Sequence, residues 1–153
     1  MKLQIISVGK KNQPELEKLI IEYQKRISVF TSISWKILKT SSLPLHLAIN
    51  KESEDILKVI PEKSIVWLLD EAGLQLNNYD LAKNLQQTLQ QKYNELVVVI
   101  GGPYGVSQQL KSRADFTWSL SKLVFPHLLV RLILIEQLYR SSEIIKNSGY
   151  HHS

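Results

Sequence analysis

The sequence predicts an α/β fold with a mainly parallel sheet flanked by helices. Three observations carry that expectation. Short β-like runs alternate with runs of helical period along the whole chain. The run Leu96-Val97-Val98-Val99-Ile100 is apolar at every position, as a strand covered on both faces must be. No internal repeat, low-complexity tract or linker divides the 153 residues, so one domain is expected over 1–153.

Residues 2–8 read as the first strand, ended by Gly9. In residues 15–27, Leu16, Leu19, Ile20, Tyr23 and Ile27 fall on one helical face, and Pro14 suits the first turn. Ile33, Trp35 and Ile37 alternate with Ser34 and Lys36, the pattern of a half-buried strand. Residues 38–47 read as a loop and residues 48–60 as a weaker helix. Residues 64–69 form the third predicted strand. Asn77-Asn78 then offers a cap for a helix reaching about Tyr93, with Leu81, Leu85 and Leu89 at four-residue spacing. Residues 96–100 are the fourth strand. Ser107 suits the cap of a short helix to Ala114, residues 116–120 are a fifth strand, and a last helix covers residues 126–145. That helix is apolar around most of its circumference, which predicts burial on nearly all sides, one of them against a second subunit.

Composition narrows the function classes. The chain has no cysteine, which removes disulfides, thiolate nucleophiles and cysteine metal sites and fits a reducing cytosol. No apolar run reaches the ~18–20 residues of a membrane span, and the Met1-Lys2-Leu3-Gln4 start does not resemble a signal peptide. A cytoplasmic protein without a membrane partner is expected. The net charge of +5, from 19 basic and 14 acidic residues, permits a polyanionic partner without demanding one.

The chemistry-bearing residues concentrate in the last third. The fourth strand runs into Gly101-Gly102-Pro103-Tyr104-Gly105. Ligands of open α/β sheets bind beyond the strands' carboxyl ends, where glycine lets backbone approach closely; a tight turn needing positive φ explains the same glycines. The loop is not G-x-G-x-x-G, and Gly9-Lys10-Lys11 after the first strand is not one either, which disfavours an ordinary dinucleotide fold. A P-loop and a G-x-S-x-G elbow are absent, and His46, His127, His151 and His152 lack metal-ligand spacing. His127, beside Pro126, suits a base, a phosphate contact or a cap. Arg131 interrupts the apolar helix and needs a partner, either Glu136 or another carboxylate, unless it faces a site. Tyr150 and His151 near the terminus either fray or stack on and hydrogen-bond a base.

Taken together, Ile100-Gly101-Gly102-Pro103-x-Gly105, Ser119-Leu120-Ser121-Lys122, Phe125-Pro126-His127, Arg131, Glu136-Gln137-Leu138-Tyr139-Arg140 and Tyr150-His151 resemble the RlmH family. These are SPOUT-class methyltransferases of pseudouridine N3 in the 23S rRNA of the large ribosomal subunit. The likeness covers the whole chain. It implies a SPOUT-type trefoil-knotted α/β fold, an obligate homodimer, S-adenosyl-L-methionine as methyl donor, no metal, and rRNA or the ribosome as partner. Leu69, Gly102, Ser121, Lys122, Leu123, Val124, Phe125 and Pro126 would bind the donor, largely through backbone groups. His151 is the implied proton acceptor or base contact, Arg131 an electrostatic stabiliser and Tyr150 a stacking surface, with His127 a further candidate. The chain departs from relatives at Tyr104, at His152 where Arg or Lys is usual, and in a shorter loop over residues 39–47.

Three other readings are set beside it. A SPOUT enzyme acting on tRNA would usually carry an RNA-binding extension, and no such segment is seen in this sequence. A non-catalytic RNA- or ribosome-binding protein of the same fold would not bind the donor. A doubly wound nucleotide-binding regulator would show a glycine fingerprint after its first strand.

Overall fold

A computed structural model describes residues 1–28 and 30–148. The elements run β1 (Lys2–Val8), α1 (Pro14–Ile27), β2 (Ile33–Leu38), α2 (Leu45–Leu57), β3 (Ser64–Gln75), α3 (Asn78–Leu89), β4 (Glu95–Ile100), α4 (Gln108–Arg113), β5 (Phe116–Ser119) and α5 (His127–Ser148). The strands form one sheet in the order β2-β1-β4-β3-β5, and every pair is parallel.

The period-2 pattern of the strands sorts the core into two layers. Leu3, Ile5, Ile65, Trp67, Leu96 and Val98 pack with Ile20, Leu81, Leu85 and Leu134 on the face that carries α1, α3 and α5. Ile6, Val8, Val66, Leu68, Val97 and Val99 pack with Ile56 of α2 and Leu110 of α4 on the other. With both faces covered, β4 is apolar throughout and buried from Leu96 to Ile100. The Asn77 side chain caps α3 by accepting from the N–H groups of Tyr79 and Asp80, worth about 1 kcal/mol.

The structure corrects the sequence reading in three places. β3 runs six residues past Leu69, because the β5 ladder resumes beyond an irregularity at Leu74↔Trp118 and Gln75↔Ser119. Gly73 allows this: a Cβ there would stand 2.7 Å from the Trp118 carbonyl carbon. α2 starts at Leu45, inside the expected loop, with Pro44 at its N-cap. α3 stops at Leu89 rather than near Tyr93. In the single chain α5 is fully buried along one stripe, Arg131, Leu134, Ile135, Leu138, Ser141 and Ser142, while Leu129 is 43% exposed and Leu132 and Ile133 are half-buried.

Leu68 is completely buried in the second layer. Leu68→Ala should cost about 2–5 kcal/mol of unfolding free energy by urea titration. Tyr79→Ala, at a position 76% exposed, should change it by less than about 0.5 kcal/mol.

Candidate cofactor and active site

Parallel pairing brings the carboxyl ends of the strands to one edge, and a cavity lies there. It measures about 550 Å³ and is lined by residues 69–71 within β3, Ile100 at the end of β4 and residues 101–106 beyond it, Leu120, Ser121 and 123–125 after β5, Lys111 of α4, and His127 and Val130 of α5. Register makes this meeting unavoidable, since Leu69 and Ser7 both stand opposite Ile100.

The glycines of the loop have different reasons. Gly105 has φ +88° and closes a tight turn by donating to the Gly102 carbonyl at 3.1 Å. Gly101 and Gly102 leave room for neighbouring side chains: a Cβ would collide with Val106 at one and with the Glu52 carboxylate at the other unless those side chains shifted. After β5, Ser119 Oγ donates to the Ser121 carbonyl at 3.1 Å, and Ser121 Oγ accepts from the Leu123 N–H at 3.0 Å. These bonds set the bend that leaves Leu123 and Val124 exposed at the cavity mouth.

Charge at the cavity is arranged by two groups. Burial alone would raise the Asp70 pKa, but the Lys111 ammonium at 2.9 Å and the Ala72 N–H outweigh it and hold this carboxyl below its ordinary range. On the other side Arg131 is wholly buried. Its Nε donates to Ser7 Oγ at 2.9 Å, and its Nη1 donates to the Lys10 carbonyl and Asn12 Oδ1, each at 2.8 Å. Nη2 has no hydrogen-bond partner among the described residues. Of the alternatives for Arg131, a salt bridge to a carboxylate is not the one formed: Glu136 pairs with Arg140, and the Arg131 hydrogen bonds go to neutral groups. The Glu17 carboxylate acts on it only through the field, opposing the downward push of burial on its pKa.

His127 Nε2 makes a long contact of 3.4 Å to Ser7 Oγ. Burial, then the Arg131 charge, lowers the imidazole pKa against the opposing hydrogen bond to the Val8 backbone. A neutral imidazole thus borders the cavity, able to accept a hydrogen bond or a proton.

Of the residues picked from sequence, Leu69, Gly102, Ser121, Leu123, Val124 and Phe125 line this one cavity. Lys122 and Pro126 are exposed in the same segment and are not among its lining residues. The Pro126 carbonyl accepts from the Leu129 N–H at 2.8 Å and so opens α5. Arg131 stands behind the wall, and its reach into the site runs through Ser7 and His127. Tyr150 and His151 lie outside the described residues. Sequence reasoning missed Ser7, Lys111 and Glu52. The signal for Ser7 was a lone hydroxyl inside the apolar run Ile5-Ile6-Ser7-Val8.

The family model described as "Predicted SPOUT methyltransferase" matches residues 1–151. The chain belongs to the SPOUT methyltransferase family. It is 38% identical over 156 residues to the ribosomal RNA large subunit methyltransferase H of Christiangramia forsetii, covering 99% of each chain. It is 37% identical to the proteins of that name from Ruminiclostridium cellulolyticum, over 158 residues and 99% of each chain, and Geotalea daltonii, over 153 residues, 99% of this chain and all of the relative. In this SPOUT chain the described residues contain no group of three His, Cys, Asp or Glu side chains able to hold a metal, and no described helix is long and apolar enough to cross a membrane.

Two outcomes follow from the Ser7–His127–Arg131 arrangement. Arg131→Lys keeps the charge but loses the planar fork, and should destabilise the SPOUT fold by about 2–3 kcal/mol in denaturant titration. The lowered His127 pKa means that the unfolded chain takes up this proton first as pH falls. The stability at stake is intact above about pH 6.5, declines below it, and levels off under the folded pKa. His127→Gln should therefore flatten the fall in Tm between about pH 7 and pH 5. A curve parallel to that of the wild type would contradict the assignment.

Proposed function

We propose that this chain transfers a methyl group from S-adenosylmethionine to N3 of a pseudouridine in 23S rRNA, acting as a cytoplasmic homodimer on the assembled ribosome. One observation carries the reading. Residues 69–71 of β3 and the segments leaving the carboxyl ends of β4 and β5 converge on one cavity in a chain that relatives named rRNA large subunit methyltransferase H match over 99% of its length. The reading takes the whole chain as one catalytic domain with the trefoil thread that the resemblance implies.

The residues present suit the donor. The cavity falls within the ~300–1,000 Å³ of small-molecule sites. Its walls combine apolar Leu69, Ile100, Leu120 and Val130 with the glycine loop, which is open to space at Gly105. Leu69, Gly102 and residues 121–126 hold the adenosine part, Lys122 and Pro126 contributing as backbone to the bend. A neutral His127 adds no repulsion against a cationic sulfonium. When bound, the donor supplies an activated methyl group that needs no metal.

The chain's own task is alignment and management of one proton. N3 of the base carries an imide proton and is a poor nucleophile until that proton leaves. His151 accepts it, Tyr150 stacks on the base, and Arg131 lends fixed positive charge to the developing anion from behind His127. The half-buried apolar flank of α5 supports a second subunit at this site.

The test uses labelled S-adenosylmethionine and ribosomes from a strain lacking the modification. Label should appear on a pseudouridine of 23S rRNA; label only in tRNA or protein overturns the assignment. His151→Ala should slow transfer by about 10²–10⁴-fold while donor binding by calorimetry stays intact.

A further inference from the structure

We propose that Glu52 and Ser53, adjacent on α2, are positioning residues that fix the glycine loop of the cofactor cavity from behind. The role in catalysis rests on the reading of that cavity as the methyl-donor site; the mechanical part does not.

Ala48, Glu52 and Ile56 share the stripe of α2 that faces the sheet. Position 52 is where an apolar side chain belongs, yet it carries a carboxylate 6% exposed. No described Lys, Arg or His forms a salt bridge with it. Burying such a group without a cation is unfavourable unless hydrogen bonds compensate. Oε1 accepts from the Ser41 N–H at 2.8 Å. Oε2 occupies the space that a Cβ on Gly102 would fill. Glu52 therefore braces the start of the loop and ties it to the segment entering α2.

Ser53 holds the other end. It is 1% exposed, and its Oγ accepts from the Ser107 N–H at 2.8 Å. Ser107 in turn caps α4 through its own Oγ, which accepts from the Leu110 N–H. One turn of α2 thus meets both ends of residues 102–107. Tyr104, between them, lines both the main cavity and a pocket of about 200 Å³ that includes Glu52. A loop gripped at both ends presents its backbone to a ligand in one geometry, and misplacement by about 1 Å can cost about 10²-fold.

Hydrogen exchange on the ligand-free protein tests the grip. Ser53→Ala should speed exchange at the Ser107 amide about tenfold or more, and Glu52→Ala should do so at Ser41 and across 102–105. Glu52→Gln, which keeps the Oε1 acceptor and the shape, should restore near-normal exchange. Calorimetry with S-adenosylmethionine and steady-state methyl transfer then test the consequence. Glu52→Ala and Ser53→Ala should weaken donor binding and raise its KM about tenfold, with kcat within about twofold. Gly102→Ala should also lose donor affinity, and combining it with Glu52→Ala should cost less than the sum, because the collision is removed. Unchanged exchange in Glu52→Ala and Ser53→Ala, strict additivity with Gly102→Ala, or a Glu52→Gln variant as impaired as Glu52→Ala would overturn the proposal. Altered exchange with a wild type that binds no donor would sustain the grip and overturn the methyltransferase reading instead.

Discussion

β4 is hydrogen-bonded on both edges by parallel strands, β1 on one side and β3 on the other. That constraint governs the rest. Parallel neighbours cannot be joined by tight hairpins, so the chain must cross back between them, and helices make most of those crossings. The returning helices cover both faces, which is why Leu96 to Ile100 tolerate no polar side chain. The same alignment brings residues 69–71 of β3 and the exits of β4 and β5 to one edge. Three segments separate in sequence then share a wall, and the cavity is a consequence of the ladder.

Arg131 shows how the helix layer is tied to that edge. A buried cation is costly unless its donors are used. Here three are satisfied by Ser7, Lys10 and Asn12, so the first turns of α5 are fastened to the exit of β1. Gly9 makes the approach feasible: its φ is +136°, and a side chain there would press on Arg131 and His127 at 3.2 Å. Folding and electrostatics are thus one arrangement, since the guanidinium that fastens the helix also helps keep the neighbouring imidazole uncharged.

Much of this was legible before the fold was known. Uniform apolarity marked residues 96–100, alternation marked 33–37, and Asn77 and Ser107 marked helix starts, because those signals are local. The glycine loop and the segment from Ser121 to Phe125 were legible as a pair only through the family resemblance, since nothing in either stretch names the other. Three things were out of reach. The extension of β3 past Asp70 depends on a partner strand over forty residues away. The partners of Arg131 are a hydroxyl, a carbonyl and an amide from a distant loop, none of which a charge-pairing rule would select. Glu52 looks like one more acidic residue in the polar run Lys51-Glu52-Ser53-Glu54-Asp55 until α2 is seated on the sheet.

The enclosure of Arg131 has one more consequence. Mobile ions cannot approach a guanidinium with no accessible surface, so its interactions with Ser7, Lys10 and Asn12 are screened by salt far less than those of surface charges. Lys10, Lys11 and Lys122 are exposed and enjoy no such shelter. Brine would therefore divide the molecule's electrostatics in two, weakening the fields of the surface lysines, Lys111 at the cavity among them, while leaving the buried guanidinium and its partners nearly as they were.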